Sequence, residues 1–281
     1  MKKIGIVLKP EHPQCKAALE KLTDWLKQRQ KESILIETTG KKPAPSRSPE
    51  RRHRLDMMIV LGGDGTLLSA ARRIEDLDIP ILGVNLGSLG FLTEVTLDEL
   101  YQTLEKIFKE EYILDPRLTL KSVIHRGKKA FPQPRVLNEV LISHGTLTKL
   151  IKMEIIINRQ FVTWLRADGL IVSTATGSTA YSLSSGGPII HPSVDAILLN
   201  PISPHMLTNR PIVVPANSRV EVIVKTEEKG PLATFDGQEV FPLEGDDVIQ
   251  IEAFERRLKL IQSPHRNYYQ VLRQKLKWGE G

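Results

Sequence analysis

Three glycines surround a single carboxylate in the stretch Gly-Gly-Asp-Gly-Thr at 62–66. An apolar run ends at Leu61 and a helix-like pattern resumes at Thr66, so the stretch is predicted to join a strand to a helix. Glycines let backbone N–H groups approach an anion closely, and a helix N-terminus favours negative charge. Asp64 at this point suits contact with a metal ion or removal of a hydroxyl proton, and phosphoryl transfer requires both. The alternative is that Asp64 only caps a tight turn.

A second polar feature is the pair Asn138 and Glu139, which interrupts an apolar, strand-like run at 136–142. Polar groups inside such a strand need partners, because an unpaired buried group destabilises the fold by about 1–3 kcal/mol. The amide of Asn138 matches the donor and acceptor edge of adenine. The carboxylate of Glu139 can accept hydrogen bonds from ribose hydroxyls. Strand alternation also allows a simpler interpretation, in which Glu139 faces solvent.

The third feature is a segment at 165–189 that is rich in Ser, Thr and Gly. Asp168 lies near its start and Tyr181 lies within it. Many hydroxyls and backbone amides suit the oxygens of sugars and phosphates, and Tyr181 could stack on a flat ring. Taken alone, such a segment is more often simply a loop.

The bulk composition is that of a globular protein with room for two domains. The chain has 281 residues, of which 41% are hydrophobic and 26% charged. Cys15 is the single cysteine, so no internal disulfide forms and a reducing compartment is favoured. No apolar stretch has the length of a membrane span, and the start lacks the apolar core of a secretory signal. We therefore expect a cytoplasmic protein that does not bind membranes.

The net charge of +6 suits nucleic acid, anionic lipid or a phosphate-rich small molecule, without choosing among them. Basic residues concentrate at 41–54, which predicts a solvated basic loop or, alternatively, an anion-attracting flap. The sequence contains no Walker motif, no GxGxxG, no GxSxG elbow and no HExxH. Its seven histidines do not cluster at ligand spacing, so a structural zinc site is not expected.

The order of elements changes near residue 112. Before it, strands alternate with helices, which predicts a parallel sheet in an α/β layer. From there to about 261, strand-like runs follow one another with one helical interruption after Ser178. The tail at 267–278 is predicted to be helical. Since ligands bind at the carboxyl ends of parallel strands, the loop at 62–66 is predicted to lie at a ligand site.

Together these segments resemble the NAD kinase family. The segments that carry the resemblance are GGDGT (62–66), NLGSLGFLTE (85–94), the Asn-Glu pair (138–139), TGSTAYSLSSGGP (176–188), PISPHMLTNRPIV (201–213) and FDGQEV (235–240). GGDGT alone is a weak signal, because lipid kinases and phosphofructokinases carry close versions of it. The later segments in this order are specific, and the likeness covers nearly the whole chain.

The resemblance implies ATP-dependent phosphorylation of the adenosine 2′-hydroxyl of NAD to give NADP. It implies that Asp64 is the base or orients that hydroxyl, that Asn138 holds adenine and that Glu139 holds its ribose. Asp168 would contact the nicotinamide half. The phosphate contacts that it implies are Gly62, Gly63, Gly65 and Thr66. Its remaining NAD contacts are Gly65, Lys149, Arg166, Thr176, Thr179, Ala180, Tyr181, Ser182, Leu183, Ser184 and Gln238.

The resemblance also implies an architecture and partners. We expect an α/β N-terminal domain with a Rossmann-like parallel sheet at 1–115, to which a tail at 262–281 returns. A β-rich, β-sandwich-like domain at 116–261 would bind NAD. ATP would be the phosphoryl donor and Mg²⁺ or another divalent metal the cofactor, with no residue assigned as a metal ligand. A homodimer or homotetramer is expected.

Three other functions remain open from the residues. A lipid kinase sharing GGDGT is the nearest alternative enzyme, although the polar run at 174–185 disfavours a groove for acyl chains. A nucleic-acid-binding module built on 41–54 would lack the interleaved aromatic residues that single-strand binding uses, since aromatics total 5%. A non-catalytic NAD sensor is the third, and the intact GGDGT motif weighs against it.

Overall fold

The computed structural model describes residues 1–8, 13–36, 55–73, 78–145, 150–225 and 230–279. The basic loop at 41–54 and Lys149 lie outside these described residues. The chain divides into two compact units, one formed by Met1–Asp115 with Lys259–Gly281 and the other by Pro116–Leu258. Among the described helices, none has the length and apolar character needed to cross a membrane.

The described elements follow the chain in one series. They are β1 (Lys3–Leu8), α1 (Pro13–Gln28), β2 (Glu32–Ile36), β3 (Met57–Leu61), α2 (Asp64–Arg73), β4 (Ile81–Asn85), β5 (Val95–Thr96), α3 (Leu100–Phe108), β6 (Leu114–Arg117), β7 (Leu120–Arg126), β8 (Lys129–Pro132), β9 (Glu139–His144), β10 (Ile151–Ile157), β11 (Gln160–Ala167), β12 (Gly169–Thr174), a 3-10 helix (Thr176–Thr179), α4 (Tyr181–Ser184), β13 (Ala196–Ile202), β14 (Ile212–Pro215), β15 (Val220–Val224), β16 (Pro231–Phe235), β17 (Glu239–Pro242), β18 (Val248–Ala253), β19 (Leu258–Ile261) and α5 (Tyr268–Leu276).

The first unit is built on a seven-stranded sheet in the order β2-β1-β3-β4-β19-β6, with β5 paired to β4. The strands β2, β1, β3 and β4 run parallel to their neighbours. Every residue of β3 is buried, as expected of a central strand in a parallel sheet covered on both faces. Side chains of α1 and α3 pack on this sheet in one core that includes Leu22, Leu26, Leu100 and Leu104. The predicted α/β fold with a parallel sheet is confirmed.

The second unit contains two six-stranded antiparallel sheets. Their strand orders are β11-β10-β15-β18-β7-β8 and β14-β13-β12-β9-β16-β17. Alternate residues of both sheets share one hydrophobic core; Met153 and Val222 come from the first sheet, and Ile142 and Val172 from the second. Two sheets that share a core in this way form a sandwich, so the predicted β-rich, sandwich-like fold is also confirmed.

Five strands of this unit were not predicted from the sequence: β8, β13, β14, β16 and β17. Each contains a proline, at Pro132, Pro201, Pro215, Pro231 and Pro242. Proline cannot donate a ladder hydrogen bond, which weakens a strand prediction, yet it is tolerated at strand ends and on edge strands. β8, β14 and β17 are edge strands, and Pro231 begins β16.

Two helix predictions met different outcomes. The helix expected after Ser178 is only the 3-10 helix followed by the single turn of α4, because Ala180 leaves the helical region (φ −93°, ψ −131°) and Gly186 adopts a φ of +78° after α4. The predicted tail helix is confirmed as α5. Its start carries a capping box, in which Asn267 and Gln270 each accept the other's backbone N–H.

Candidate active site

Asp64 is the first residue of α2 and follows the carboxyl end of β3. The N–H groups of Thr66 and Leu67 donate to the carbonyl of Gly63, which closes the first turn of the helix there. The helix therefore starts two residues before the predicted start at Thr66. The predicted strand–loop–helix arrangement of the GGDGT stretch is confirmed, with its polar residue at the edge where parallel sheets bind ligands.

The Asp64 carboxylate is held by donors from the segment at 91–93. Its Oδ2 accepts the N–H of Phe91 at 2.8 Å. Its Oδ1 accepts the N–H groups of Leu92 and Thr93 at 3.0 Å each, and the Thr93 hydroxyl at 3.0 Å. Four donors converge on one half-buried carboxylate, so the side chain does not cap its own helix and its orientation is fixed by another loop.

The glycines of the loop differ in how much space surrounds the position that a Cβ atom would occupy. A Cβ atom added at Gly63 or Gly65 would meet no atom of the described residues within 4 Å, so these two positions border open space. A Cβ atom at Gly62 would instead lie 2.9 Å from the Cβ of Thr66. One further glycine, Gly90, has Asp64 Cγ 2.7 Å from such a Cβ position. Gly90 therefore allows the 91–93 segment to reach the carboxylate.

In the second unit, Asn138 lies just before β9 and Glu139 is the first residue of that strand, so the pair does not interrupt the middle of a strand as predicted. β9 begins only at Glu139, because the Asp236 carboxylate takes the N–H groups that precede it. Asp236 Oδ1 accepts from Asn138 at 2.8 Å and from Glu139 at 3.2 Å, and its Oδ2 accepts from Leu137 at 3.0 Å. The side-chain amide of Asn138 has no hydrogen-bond partner among the described residues.

Glu139 is a buried carboxyl group without a full set of partners. It is only 6% exposed, which excludes the interpretation that it faces solvent. Its Oε2 finds no hydrogen-bond partner among the described residues. Burial, with a smaller contribution from the negative charge of Asp236, raises the pKa of Glu139 to about 8. An orphaned buried oxygen of this kind is what a ligand hydroxyl would satisfy.

The raised pKa of Glu139 makes ligand-free stability depend on pH. Between the ordinary value of 4.5 and about 8, the folded chain keeps a proton that the unfolded chain releases. The free energy of unfolding therefore falls as pH rises through this window, by at most about 1.4 kcal/mol per pH unit. We expect Glu139→Gln to remove this decline, measured as urea midpoints across the window. The exposed Glu255→Gln should retain it, and an unchanged decline in Glu139→Gln would contradict the assignment.

The turn that follows β12 is fastened to the Asn138 segment. Thr174 donates its hydroxyl to the carbonyl of Leu137 at 2.6 Å and accepts the N–H of Gly177 at 3.0 Å. Ser173 donates its hydroxyl toward the carbonyl of Asn138 at 3.1 Å. A Cβ atom at Gly177 would clash with that same carbonyl. The Ser/Thr/Gly segment is thus an ordered turn packed beside Asn138.

The predicted contacts in this turn comprise two buried residues and five that are at least partly exposed. Thr176 and Ser182 are buried; Thr176 accepts from Arg117 at 3.2 Å, and Ser182 accepts from Asn200 at 3.2 Å. Both hydroxyls therefore accept a hydrogen bond from within the fold. Asn200 also donates to the carbonyl of Ser182 at 3.0 Å. The residues of the turn that are at least partly exposed are Thr179, Ala180, Tyr181, Leu183 and Ser184.

Three other predicted contacts lie in the described part of this unit. Arg166, Asp168 and Gln238 have exposed side chains. The backbones of Arg166 and Asp168 pair with His205 and Ile202, which ties the end of β11 to the PISPH segment. Gln238 lies in the turn between β16 and β17, whose Asp236 holds the Asn138 segment. Lys149 lies outside the described residues, so its predicted contact stays a prediction.

Three residues of the site were not predicted from the sequence. They are Asp236, which holds the 137–139 segment, and Gly90 and Thr93, which lie against Asp64. All three lie inside segments already quoted for the family resemblance, FDGQEV and NLGSLGFLTE. A buried-strand end followed by Asp-Gly was the available signal for Asp236, since such a turn places a carboxylate near neighbouring amides. Nothing local indicates that Thr93 reaches Asp64.

Comparison with known proteins matches both units. Residues 4–112 match the family model of the ATP-NAD kinase N-terminal domain, and residues 137–263 match that of the ATP-NAD kinase C-terminal domain. The chain is 44% identical over 283 residues to the NAD kinase of Geotalea daltonii, with both chains covered completely. It is 45% identical over 286 residues to that of Geobacter sulfurreducens, again over the full length of both.

Two solved structures share the fold. Yeast NADH kinase complexed with NADH superposes with a TM-score of 0.87 at 24% identity, covering 100% of this chain and 89% of that one. An NAD kinase from Archaeoglobus fulgidus in complex with ATP gives a TM-score of 0.78 at 24% identity, covering 97% of this chain and 99% of that one. At this level of identity the likeness establishes the fold.

Proposed function

This chain belongs to the NAD kinase family, and from that premise we propose that it transfers the terminal phosphoryl group of ATP to the adenosine 2′-hydroxyl of NAD, giving NADP and ADP. The observation that carries the proposal is the pair Asn138 and Glu139. It offers an unpaired amide beside a buried carboxyl whose Oε2 lacks a partner. An adenine edge and ribose hydroxyls supply the partners that these two groups lack.

Asp64 is proposed as the group that receives or steers the proton of the 2′-hydroxyl. As that oxygen attacks the γ-phosphorus, its proton passes to the carboxylate and ADP leaves with the electrons of the broken P–O bond. Four donors already fix the carboxylate, which supports a role that demands exact orientation. The rest of the proposed NAD contacts are Gly65, Lys149, Arg166, Asp168, Thr176, Thr179, Ala180, Tyr181, Ser182, Leu183, Ser184 and Gln238.

The triphosphate is proposed to bind against Gly62, Gly63, Gly65 and Thr66. The open space beside Gly63 and Gly65, at the start of α2, supports this assignment. No group of three or more His, Cys, Asp or Glu side chains among the described residues could hold a metal ion. Mg²⁺ or another divalent cation is therefore proposed to arrive bound to the triphosphate, whose charge it neutralises.

The other proposed properties follow the family. The units at 1–115 with the tail 262–281 and at 116–261 act as phosphoryl-transfer and NAD-binding domains. The chain works as a homodimer or homotetramer in the cytoplasm, without nucleic acid or membrane. Neither a lipid kinase nor a non-catalytic NAD sensor is supported by the relatives, which are named NAD kinases.

The direct test is incubation of the pure chain with NAD, ATP and Mg²⁺, followed by measurement of NADP. We expect NADP and ADP to form in equal amounts. A parallel reaction with diacylglycerol in place of NAD should give no phosphorylated product. Binding of NAD without any NADP would support the sensor instead, and phosphorylation of the lipid would support the lipid kinase.

Arg166 is expected to influence the choice between NAD and NADH. Its exposed guanidinium lies two residues before Asp168, the proposed contact of the nicotinamide half. A permanent positive charge there interacts differently with a positive and a neutral ring, although it could also tether the pyrophosphate. We expect Arg166→Gly to change the ratio of kcat/KM for NAD and NADH by about 5- to 30-fold, with the KM for ATP unchanged.

The matched control for Arg166 is Lys152→Ala, since Lys152 is the exposed cation directly across the β10–β11 pair. Its loss should leave the NAD to NADH ratio near that of the unaltered chain. An unchanged ratio in Arg166→Gly would show that this side chain does not sense the nicotinamide ring.

A further inference from the structure

A chain of hydrogen bonds leads from the end of β4 to Asp64. The side-chain Nδ2 of Asn85 donates to Thr93 Oγ1 at 3.1 Å and to the carbonyl of Ser88 at 2.5 Å. Asn85 Oδ1 accepts the N–H of Gly87 at 2.5 Å. Thr93 Oγ1 lies 3.0 Å from Asp64 Oδ1. Asn85 is 6% exposed and Thr93 is fully buried, so water does not compete for these bonds.

The chemistry of the groups fixes the direction of this chain. An amide nitrogen can only donate, so Thr93 Oγ1 must accept from Asn85. The single hydroxyl proton of Thr93 is then left for Asp64. Asn85 cannot turn its amide over, because its Oδ1 accepts from Gly87 while its Nδ2 donates to Ser88. The orientation of the Thr93 hydroxyl is thereby set by a residue that does not touch Asp64.

The two oxygens of Asp64 consequently differ. Oδ1 accepts three donors: the Leu92 N–H, the Thr93 N–H and the Thr93 hydroxyl. Among the residues that the structure describes, the N–H of Phe91 is the only donor to Oδ2. A carboxylate oxygen has about two lone-pair directions, so Oδ1 is saturated and Oδ2 retains one.

We propose that Asn85 and Thr93 are positioning residues, which saturate Asp64 Oδ1 and leave Oδ2 as the oxygen that receives the substrate hydroxyl proton. The proposal rests on the proposed function, in which Asp64 is the proton acceptor. It assigns Asn85 and Thr93 no contact with substrate. They act by holding the carboxylate in the one rotamer that presents Oδ2, so their loss should affect turnover more than substrate binding.

The test compares Thr93→Val with Thr93→Ser in the full chain. Thr93→Val keeps the shape and the backbone N–H but loses the hydroxyl, and we expect kcat to fall about 10- to 100-fold, as for one lost hydrogen bond to a charged group. The KM values for NAD and ATP should stay within about twofold, because the substrate contacts are intact. Thr93→Ser restores the hydroxyl and should recover most of kcat.

A double-mutant cycle with Asp64→Asn shows whether Thr93 acts through Asp64. In the Asp64→Asn chain the added Thr93→Val should change kcat by less than about twofold, since the proton acceptor is already gone. Asn85→Asp replaces the amide donor by an acceptor, so it should lower kcat by about as much as Thr93→Val does. The double variant Asn85→Asp with Thr93→Val should have a kcat no lower than that of either single variant.

The outcomes separate this proposal from the function on which it rests. Turnover of NAD by the unaltered chain, and its loss in Asp64→Asn, test the proposed function and do not test the positioning role of Asn85 and Thr93. The positioning role is overturned if Thr93→Val keeps its kcat, or if it lowers kcat equally with and without the Asp64 carboxylate. A fall in kcat that Thr93→Ser does not restore would likewise overturn it.

Discussion

Asp64→Asn is expected to lower kcat by about 100- to 10,000-fold while NAD still binds. The substitution keeps the shape of the side chain, and its one oxygen can still accept the Leu92 and Thr93 N–H groups, while its NH2 group then faces the N–H of Phe91. It removes the charge and the ability to take a proton. Turnover should be measured as NADP formed under saturating ATP, and NAD binding by calorimetry without ATP.

The matched control for Asp64→Asn is Asp98→Asn in the same unit. Asp98 is exposed and lies just before α3, so the same loss of a carboxylate should leave kcat unchanged. Near-normal turnover in Asp64→Asn would show that the four donors serve only to fix a turn. Loss of turnover together with a large drop in Tm would point to folding instead, and the melting curve of each variant therefore accompanies its kinetics.

The position of Asp64 was predictable because its signals are local. A buried apolar run, a glycine-rich turn and a helical pattern follow one another within about a dozen residues, and sheet topology then assigns the edge. The partners of Asp64 were not predictable in this way. Phe91, Leu92 and Thr93 lie 27–29 residues further along, and their amides carry no mark in the sequence that they will converge on a carboxylate.

For Asn138 and Glu139, the local structure could not be predicted from nearby residues. Glu139 is buried, as expected of a polar residue within an apolar run. Their local structure was predicted wrongly, because the strand starts at Glu139 and not at Val136. The cause is Asp236, which lies 97–99 residues away and takes the N–H groups that a longer strand would have paired. A local hydrophobic pattern cannot reveal that a carboxylate so far along the chain will accept these N–H groups.

Asp236→Ala is expected to produce the largest loss of stability and of NAD binding in the second unit. The Asp236 side chain is 5% exposed, and it accepts from the N–H groups of Leu137, Asn138 and Glu139. Its removal leaves buried donors unpaired, at about 1–3 kcal/mol each. We expect the free energy of unfolding to fall by roughly 3 kcal/mol or more, measured by urea denaturation without ligand. NAD binding should weaken as well, because Asn138 and Glu139 lose their anchor.

The matched control for Asp236→Ala is Asp246→Ala, because both residues have left-handed backbone, with φ of +49° and +63°. Both substitutions therefore carry the same strain from an alanine at positive φ. Asp246 is exposed and its carboxylate forms an ion pair with Lys225 at 2.8 Å, so its loss adds less than about 1 kcal/mol to that strain. The difference between the two variants isolates the bonds to the 137–139 amides. Equal destabilisation of the two would mean that backbone strain, and not the capture of these amides, is what Asp236 contributes.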